Sequence, residues 1–227
     1  MAALVWDKTG ERFYETGVDH GVLYVQKASR EANDNTWYEN GIAWNGLTAV
    51  NESPDGAEPN DLYADNIKYA TLRSAETFGA TIEAYMFPDE FAQCDGAATI
   101  SPGVYFGQQS RKPFGFVYRT NVGNDTASED DDGYKLHIIY NATASPSEKN
   151  YETVNDSPDA ITMSWEIATT PVPVSINGKS YKPLSTITID STKCDKSKLE
   201  TLEAILFGSA SEEPRLPDPE EVYTTMT

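Results

Sequence analysis

A chain of 227 residues with a formal net charge of −19 and a sequence pI of about 4.3 has no basic groove for nucleic acid as its main theme, because phosphate binding rests on clustered Lys and Arg. Thirteen Tyr, eight Phe and four Trp exclude disorder over most of the length, and the size fits one large all-β domain or two small ones. The opening MAALVWDKTGERF lacks the positive-then-apolar pattern of a signal peptide, no apolar run approaches the ~20 residues of a membrane span, and Cys94 and Cys194 stand alone, as expected for folding in a reducing cytoplasm.

Residues 1–20 are polar with scattered aromatics and read as an N-terminal arm with one short strand. Gly21 to Gln26 is the first core strand, and residues 27–40 are a polar loop. Residues 41–50, GIAWNGLTAV, are β-like, with Asn45-Gly46 as either a tight hairpin turn or a bulge; the short arms around it favour a bulge in one longer strand. Residues 51–66, NESPDGAEPNDLYADN, read as a long inter-strand loop. They hold two prolines, five acids and only Leu62 and Tyr63 as large apolar residues. Loops of that length are usually functional or mobile. Residues 67–72 return as a strand.

Residues 76–86, ETFGATIEAYM, alternate with a period of two. Phe78, Ala80, Ile82, Ala84 and Met86 share one face, and Thr77, Thr81, Glu83 and Tyr85 share the other. Phe87-Pro88-Asp89-Glu90-Phe91 then predicts one helical turn. Strands follow at 103–107, 114–120 and 134–140. The last two join through an acidic turn as a long hairpin, with Phe114, Phe116 and Tyr118 together and Tyr134, Leu136, Ile138 and Tyr140 together. Residues 160–169 place Ile161, Met163, Trp165 and Ile167 inward, and Pro171 and Pro173 end that strand or put it at an edge. Asn177-Gly178 is a hairpin turn, and 184–189 is a last strand. A helix spans 198–207, with Ser197-x-x-Glu200 as a capping box and Gly208 as its C-terminal cap. Residues 209–227 form an acidic, proline-rich, extended tail behind a single domain of residues 1–208.

Short motifs offer no chemistry. Gly178-Lys179-Ser180 lacks the first glycine of a phosphate loop, since Pro173 stands there. Ser128-x-Asp130-x-Asp132 imitates a calcium loop without the bidentate Glu, because position twelve is Ile139. His20 and His137 sit in no metal spacing and read as structural or surface residues. Glu76 and Glu83 are the one pair that could pose as glycosidase carboxylates. No catalytic residue, metal or cofactor is expected.

Across nearly its whole length the chain resembles the major tail proteins, or tail tube proteins, of long-tailed bacteriophages and prophages of Gram-positive bacteria. The stretches that carry the likeness are LVWDKTGERFYETGVDHGVLY at 4–24, GIAWNGLTAVNESPDGAEPNDLYADNIKY at 41–69, ETFGATIEAYMFPDEFAQCDG at 76–96, KPFGFVYRTNVGNDT at 112–126, residues 133–174 and TITIDSTK at 186–193. The acidic run at 129–132 and the tail at 214–227 depart from it. The resemblance implies a mainly β, sandwich-like or partly open barrel with one flanking helix, in a structural virion protein rather than an enzyme. It implies six copies in a ring, and rings stacked into a tube that conducts DNA. A tape measure protein, a tail terminator and tail-tip proteins are the implied partners, with viral DNA passing through unbound, no membrane, and the host cytoplasm as the place before assembly. It makes 51–66 the inter-ring stacking loop, through Pro54, Asp55, Glu58, Pro59, Asp61, Leu62, Tyr63 and Asp65. Glu83 and Glu76 are the candidate lumen acids. The competing reading is a monomeric β-sandwich that binds glycans through exposed Tyr and Trp.

Overall fold

The computed structural model describes residues 4–29, 37–126, 133–151, 153 and 159–227. One large sheet carries the body. Its strands run in the order β2 (Ile42–Trp44), β1 (Phe13–Val25), β11 (Phe114–Asn124), β12 (Gly133–Ala144), β13 (Met163–Thr169), β8 (Gly79–Ala84) and β3 (Leu47–Glu52), with β16 (Thr186–Asp190) also paired to β12. All pairings are antiparallel. Four two-stranded ladders complete it. They are β4 (Asp55–Gly56) with β7 (Glu76–Thr77), β5 (Pro59–Ala64) with β6 (Ile67–Arg73), β9 (Ala98–Ser101) with β10 (Val104–Phe106), and β14 (Val172–Ile176) with β15 (Lys179–Leu184).

The two ends of the large sheet are consecutive in the chain. Only Asn45 and Gly46 separate β2 from β3, and Gly46 holds a left-handed φ of 78°. The bulge expected there is thus a break. It lets one run of chain pair first with β1 and then with β8, so the sheet curls without closing into a barrel. Inside the curl lie Trp44, Phe91, Phe114, Phe116 and Trp165. The Trp44 ring is 4.5 Å from Phe91 and 5.6 Å from Trp165, in tilted and edge-on arrangements that suit aromatic quadrupoles. The expected helical turn is a short 3-10 helix, Asp89–Gln93, whose Phe91 fills this interior.

The outer face of the sheet is buried too. Val22, Tyr24, Val117, Leu136, Ile138 and Tyr140 pack under helix α1 (Lys196–Phe207) and helix α2 (Pro219–Met226). Burial on both faces explains why Val22-Leu23-Tyr24-Val25 is a continuous apolar run rather than an alternation. Leu199, Leu202 and Leu206 are buried on one stripe of α1, each contributing roughly 1.5–3 kcal/mol.

Several expectations need correction. The capping box is not used. α1 starts earlier, and the Asp195 carboxylate accepts from the backbone N–H groups of Ser197 (2.9 Å) and Lys198 (3.3 Å). Gly208 does end the helix, at φ 82°. The tail is not extended. Pro219 opens α2, and Leu216 and Val222 are buried against the outer core. Gly115 makes room for it, because a Cβ there would lie 2.2 Å from Leu216 Cδ2. The first strand begins at Phe13, eight residues before Gly21. Two register shifts, with Gly17 and His20 at positive φ, break the alternation that would have revealed it. Residues 76–86 form two strands, because the ladder stops at Phe78. Ile161 lies outside β13 and is 43% exposed, and Met86 is likewise exposed. β13 lies between β12 and β8 and ends at Thr169, before Pro171, so it is a central strand, while Pro173 sits inside β14 at the register shift between Val172 and Val174. The acidic run at 129–132, the calcium-like spacing at 128–132 and residues 30–36 of the polar loop fall outside the described residues.

Candidate functional site: a projecting hairpin and two open sheet edges

The expected loop at 51–66 is mostly strand. β3 leaves the body at Glu52, Pro54 is exposed, and Asp55 and Gly56 pair with Thr77 and Glu76 to make a neck. Beyond Glu58, Pro59 opens β5, a position where its missing N–H costs no ladder bond. Asp65 and Asn66 turn the chain with φ of 52° and 61°, the pair of left-handed residues that a two-residue hairpin turn requires. Asp and Asn tolerate that conformation where most residues resist it. The register Pro59↔Arg73 to Ala64↔Ile67 gives an arm of about 20 Å, at roughly 3.3 Å per residue.

Almost nothing on the arm is buried. Leu62, Tyr63, Ile67, Tyr69 and Leu72 are exposed, and neither strand pairs with any other strand among the described residues. Asp61 receives Lys68 Nζ at 2.8 Å and Thr71 Oγ1 at 2.8 Å, which hold its carboxyl below the usual carboxylate range. These three mark the polar face. The paired positions Asn60/Leu72, Leu62/Ala70 and Ala64/Ile67 fall on the other, largely apolar face. Of the stacking residues expected from sequence, Leu62 and Tyr63 belong to the arm's strands and Asp65 to its tip. Asp55 belongs to the neck, and Glu58 links the two. Ile67, Tyr69 and Leu72 share the arm's exposed surface with them and are not among the residues expected, because a period-two strand looks the same whether its apolar face meets a core or water.

The second feature lies in the body. The half of β1 before Gly21 pairs only with β11, and β16 pairs only with β12. The ladder β1-β11-β12-β16 therefore ends in an unpaired edge on either side among the described residues. One face lies under the helices. The other carries Glu15, Thr120, Lys135, His137 and Thr188, with Glu15 hydrogen-bonded to Lys135 and Thr120. His137 is buried, stacks on Tyr118 at 4.6 Å and 4°, and shares a hydrogen bond with Thr120 Oγ1 at 3.0 Å. Glu52, at the root of the arm, accepts from Tyr118 Oη at 2.6 Å and lies 3.5 Å from His137 Nδ1. The His137 contact, followed by the Tyr118 hydrogen bond, draws the Glu52 carboxyl downward. Burial first, then the facing carboxylate, pushes the Tyr118 phenol up.

Glu83 sits on β8 opposite Ala49 and Ser164, half-exposed, with Asn51 Nδ2 at 3.4 Å. Glu76 sits apart, exposed, in the neck opposite Gly56. Seven residues of extended chain span roughly 23 Å, beyond the roughly 5–10 Å of a glycosidase pair. Among the described residues, no cluster of three or more His, Cys, Asp or Glu side chains could hold a metal, and no helix is long and apolar enough to cross a membrane.

The family model described as phage tail tube protein matches residues 12–207, which takes in the arm, the whole body sheet and α1. No curated protein matches the chain. A two-sided core, open sheet edges and a bare projecting hairpin suit a subunit that is completed by others, and the chain belongs to the phage tail tube protein family, as a structural component of a virion's tail.

Proposed function

We propose that six copies join through the open edges of β1 and β16 into a ring, and that rings stack through the arm to form a hollow tube for the genome. The pair of unpaired edges carries this reading. A strand edge exposes a row of N–H and C=O groups that pairs readily with another chain, and a closed ring leaves no such row free. The arm supplies contact along the axis, through Pro54, Asp55, Glu58, Pro59, Asp61, Leu62, Tyr63 and Asp65, because an isolated two-stranded hairpin is marginal in water and gains from cover.

A formal charge of −19 on each copy supports a bore that repels phosphate rather than holding it. Glu83 and Glu76 are the acids assigned to that task, and DNA passes without specific contact. A tape measure protein inside the tube, and a terminator and tip proteins at its ends, complete the set of partners. The subunit waits in the host cytoplasm until assembly.

Negative-stain microscopy of the purified full chain over a range of concentrations tests the reading. Rings and tubes are expected. Isolated globules at every concentration, binding glycans, would establish the monomeric module instead.

A further inference from the structure

A second hairpin, β14–β15, stands out for its charge. The sequence has 36 acidic residues, yet none lies between Glu166 and Asp190. The hairpin occupies that gap and carries Lys179 and Lys182, neither of which has a carboxylate within 4 Å among the described residues. Lys179 lies 5.2 Å from the centre of the half-exposed Tyr181 ring. Every residue from Lys179 to Pro183 is exposed.

The arm and its neck have the opposite character. Asp55, Glu58 and Asp65 are exposed, and none has a cation within 4 Å among the described residues. The arm also shows water the apolar face that holds Leu62, Ile67 and Leu72. The two hairpins spring from neighbouring points. Gly79, just after the neck, pairs with Ala168, and β14 begins four residues beyond that. No hydrogen bond or ion pair joins them within one copy among the described residues.

We propose that β14–β15 is the seat on a neighbouring copy that receives the arm, with Lys179 and Lys182 facing Asp55 and Glu58 and Tyr181 covering the arm's apolar face. This rests on the tube reading above and adds to it the surface that the arm meets. Opposite charges across such a contact set its register and speed its formation, and they exclude the alternatives of arm on arm or seat on seat. The contact is heterologous, so it propagates from copy to copy instead of stopping at a pair.

Charge reversal tests it. Lys179→Glu with Lys182→Glu, and separately Asp55→Lys with Glu58→Lys, leave folded subunits, as thermal melts check. Each pair raises the protein concentration needed for tubes at low salt by about tenfold or more, since several facing charges change sign together. All four substitutions in one chain bring the threshold back to within roughly threefold of wild type. Raising salt weakens wild-type assembly, as it does for exposed charges. Normal assembly of the Lys179/Lys182 variant, or no recovery in the combined variant, overturns the seat while leaving the tube intact. A wild-type chain that never assembles overturns the tube reading, and the seat with it.

Discussion

Excising the arm tests whether it holds its own subunit together or joins it to others. The neck brings the two chain segments side by side, with Gly56 opposite Glu76, so residues 57–75 can be replaced by a two-residue Asn-Gly turn. Shortening the connection from about 19 residues to two recovers up to about 2 kcal/mol of closure entropy, taking (3/2)RT ln n. Against that stands the loss of a hairpin that buries almost nothing in its own subunit. The melting temperature of the variant is therefore expected to equal or exceed that of the parent. Assembly should move the other way. Leu62, Tyr63, Ile67, Tyr69 and Leu72 are 40%, 70%, 64%, 75% and 55% exposed. Covering the exposed part of each gains about 1 kcal/mol, or about 5 kcal/mol per arm, and ordering the side chains returns about half of that. A net of about 2.5 kcal/mol is roughly a 70-fold change in association per contact. Melting curves, light scattering and negative stain on the same preparation read both sides. Single rings without stacks are the expected product. Tubes of normal length from the excised chain refute the role of the arm, and an unfolded variant refutes its independence from the body.

Three further outcomes follow from other parts of the molecule. Glu83→Lys together with Glu76→Lys should slow DNA release from assembled particles several-fold, because cations in a bore hold phosphate, and unchanged release kinetics remove both from the lumen. Leu216→Ala should cost about 2–5 kcal/mol in chemical denaturation, since Leu216 is buried over Gly115 and ties the tail to the outer core; a smaller loss would mean that the tail is only loosely seated. The Asp190 carboxyl, held down to about 2 chiefly by the Thr192 side chain and then by Lys193, stabilises the β16–α1 turn fully above its ordinary 3.8 and progressively less as pH falls toward 2. Asp190→Asn should thus cost about 1 kcal/mol near pH 7 after solvent screening, and variant and parent should converge near pH 2 in acid-unfolding curves.

Much of the body was legible because its strands carry strong local signals. Phe114, Phe116 and Tyr118 alternate over a run bounded by a turn, and they do line one interior. Tyr134, Leu136, Ile138 and Tyr140 likewise meet the helices. α1 shows its stripe in Leu199, Leu202 and Leu206. What escaped did so for stated physical reasons. The lower half of β1 hides behind positive φ at Gly17 and His20, which shift the register and break the alternation. α2 is short, with only Val222 fully buried, so it shows no apolar stripe to find. The break at Asn45-Gly46 looks like a bulge locally, and only the partners of Trp44 and Leu47, Gly21 on one side and Ala84 on the other, reveal that the chain has crossed the sheet.

The arm was misread for a different reason, and it bears on function. Pro54 and Pro59 with five acids suggested a loop, yet prolines at a strand's first residue or beside a neck cost no hydrogen bond, and acids on a strand that faces water cost little. Composition therefore could not separate a wet loop from a wet hairpin. The distinction matters because a flexible loop must be ordered when it docks, whereas a hairpin arrives with its ladder already formed and loses less entropy. On the proposed reading the same economy applies at β1 and β16, whose edges are already held in a ladder by β11 and β12. A subunit that keeps its contact elements rigid before contact can assemble without refolding, and the Asp65-Asn66 turn tests this directly. Asp65→Val puts a β-branched residue at φ 52°, where it is strained, and should loosen the arm without altering the body. Assembly of that variant should need several-fold more protein at an unchanged melting temperature, and assembly at the parental threshold would show that the arm need not be preformed.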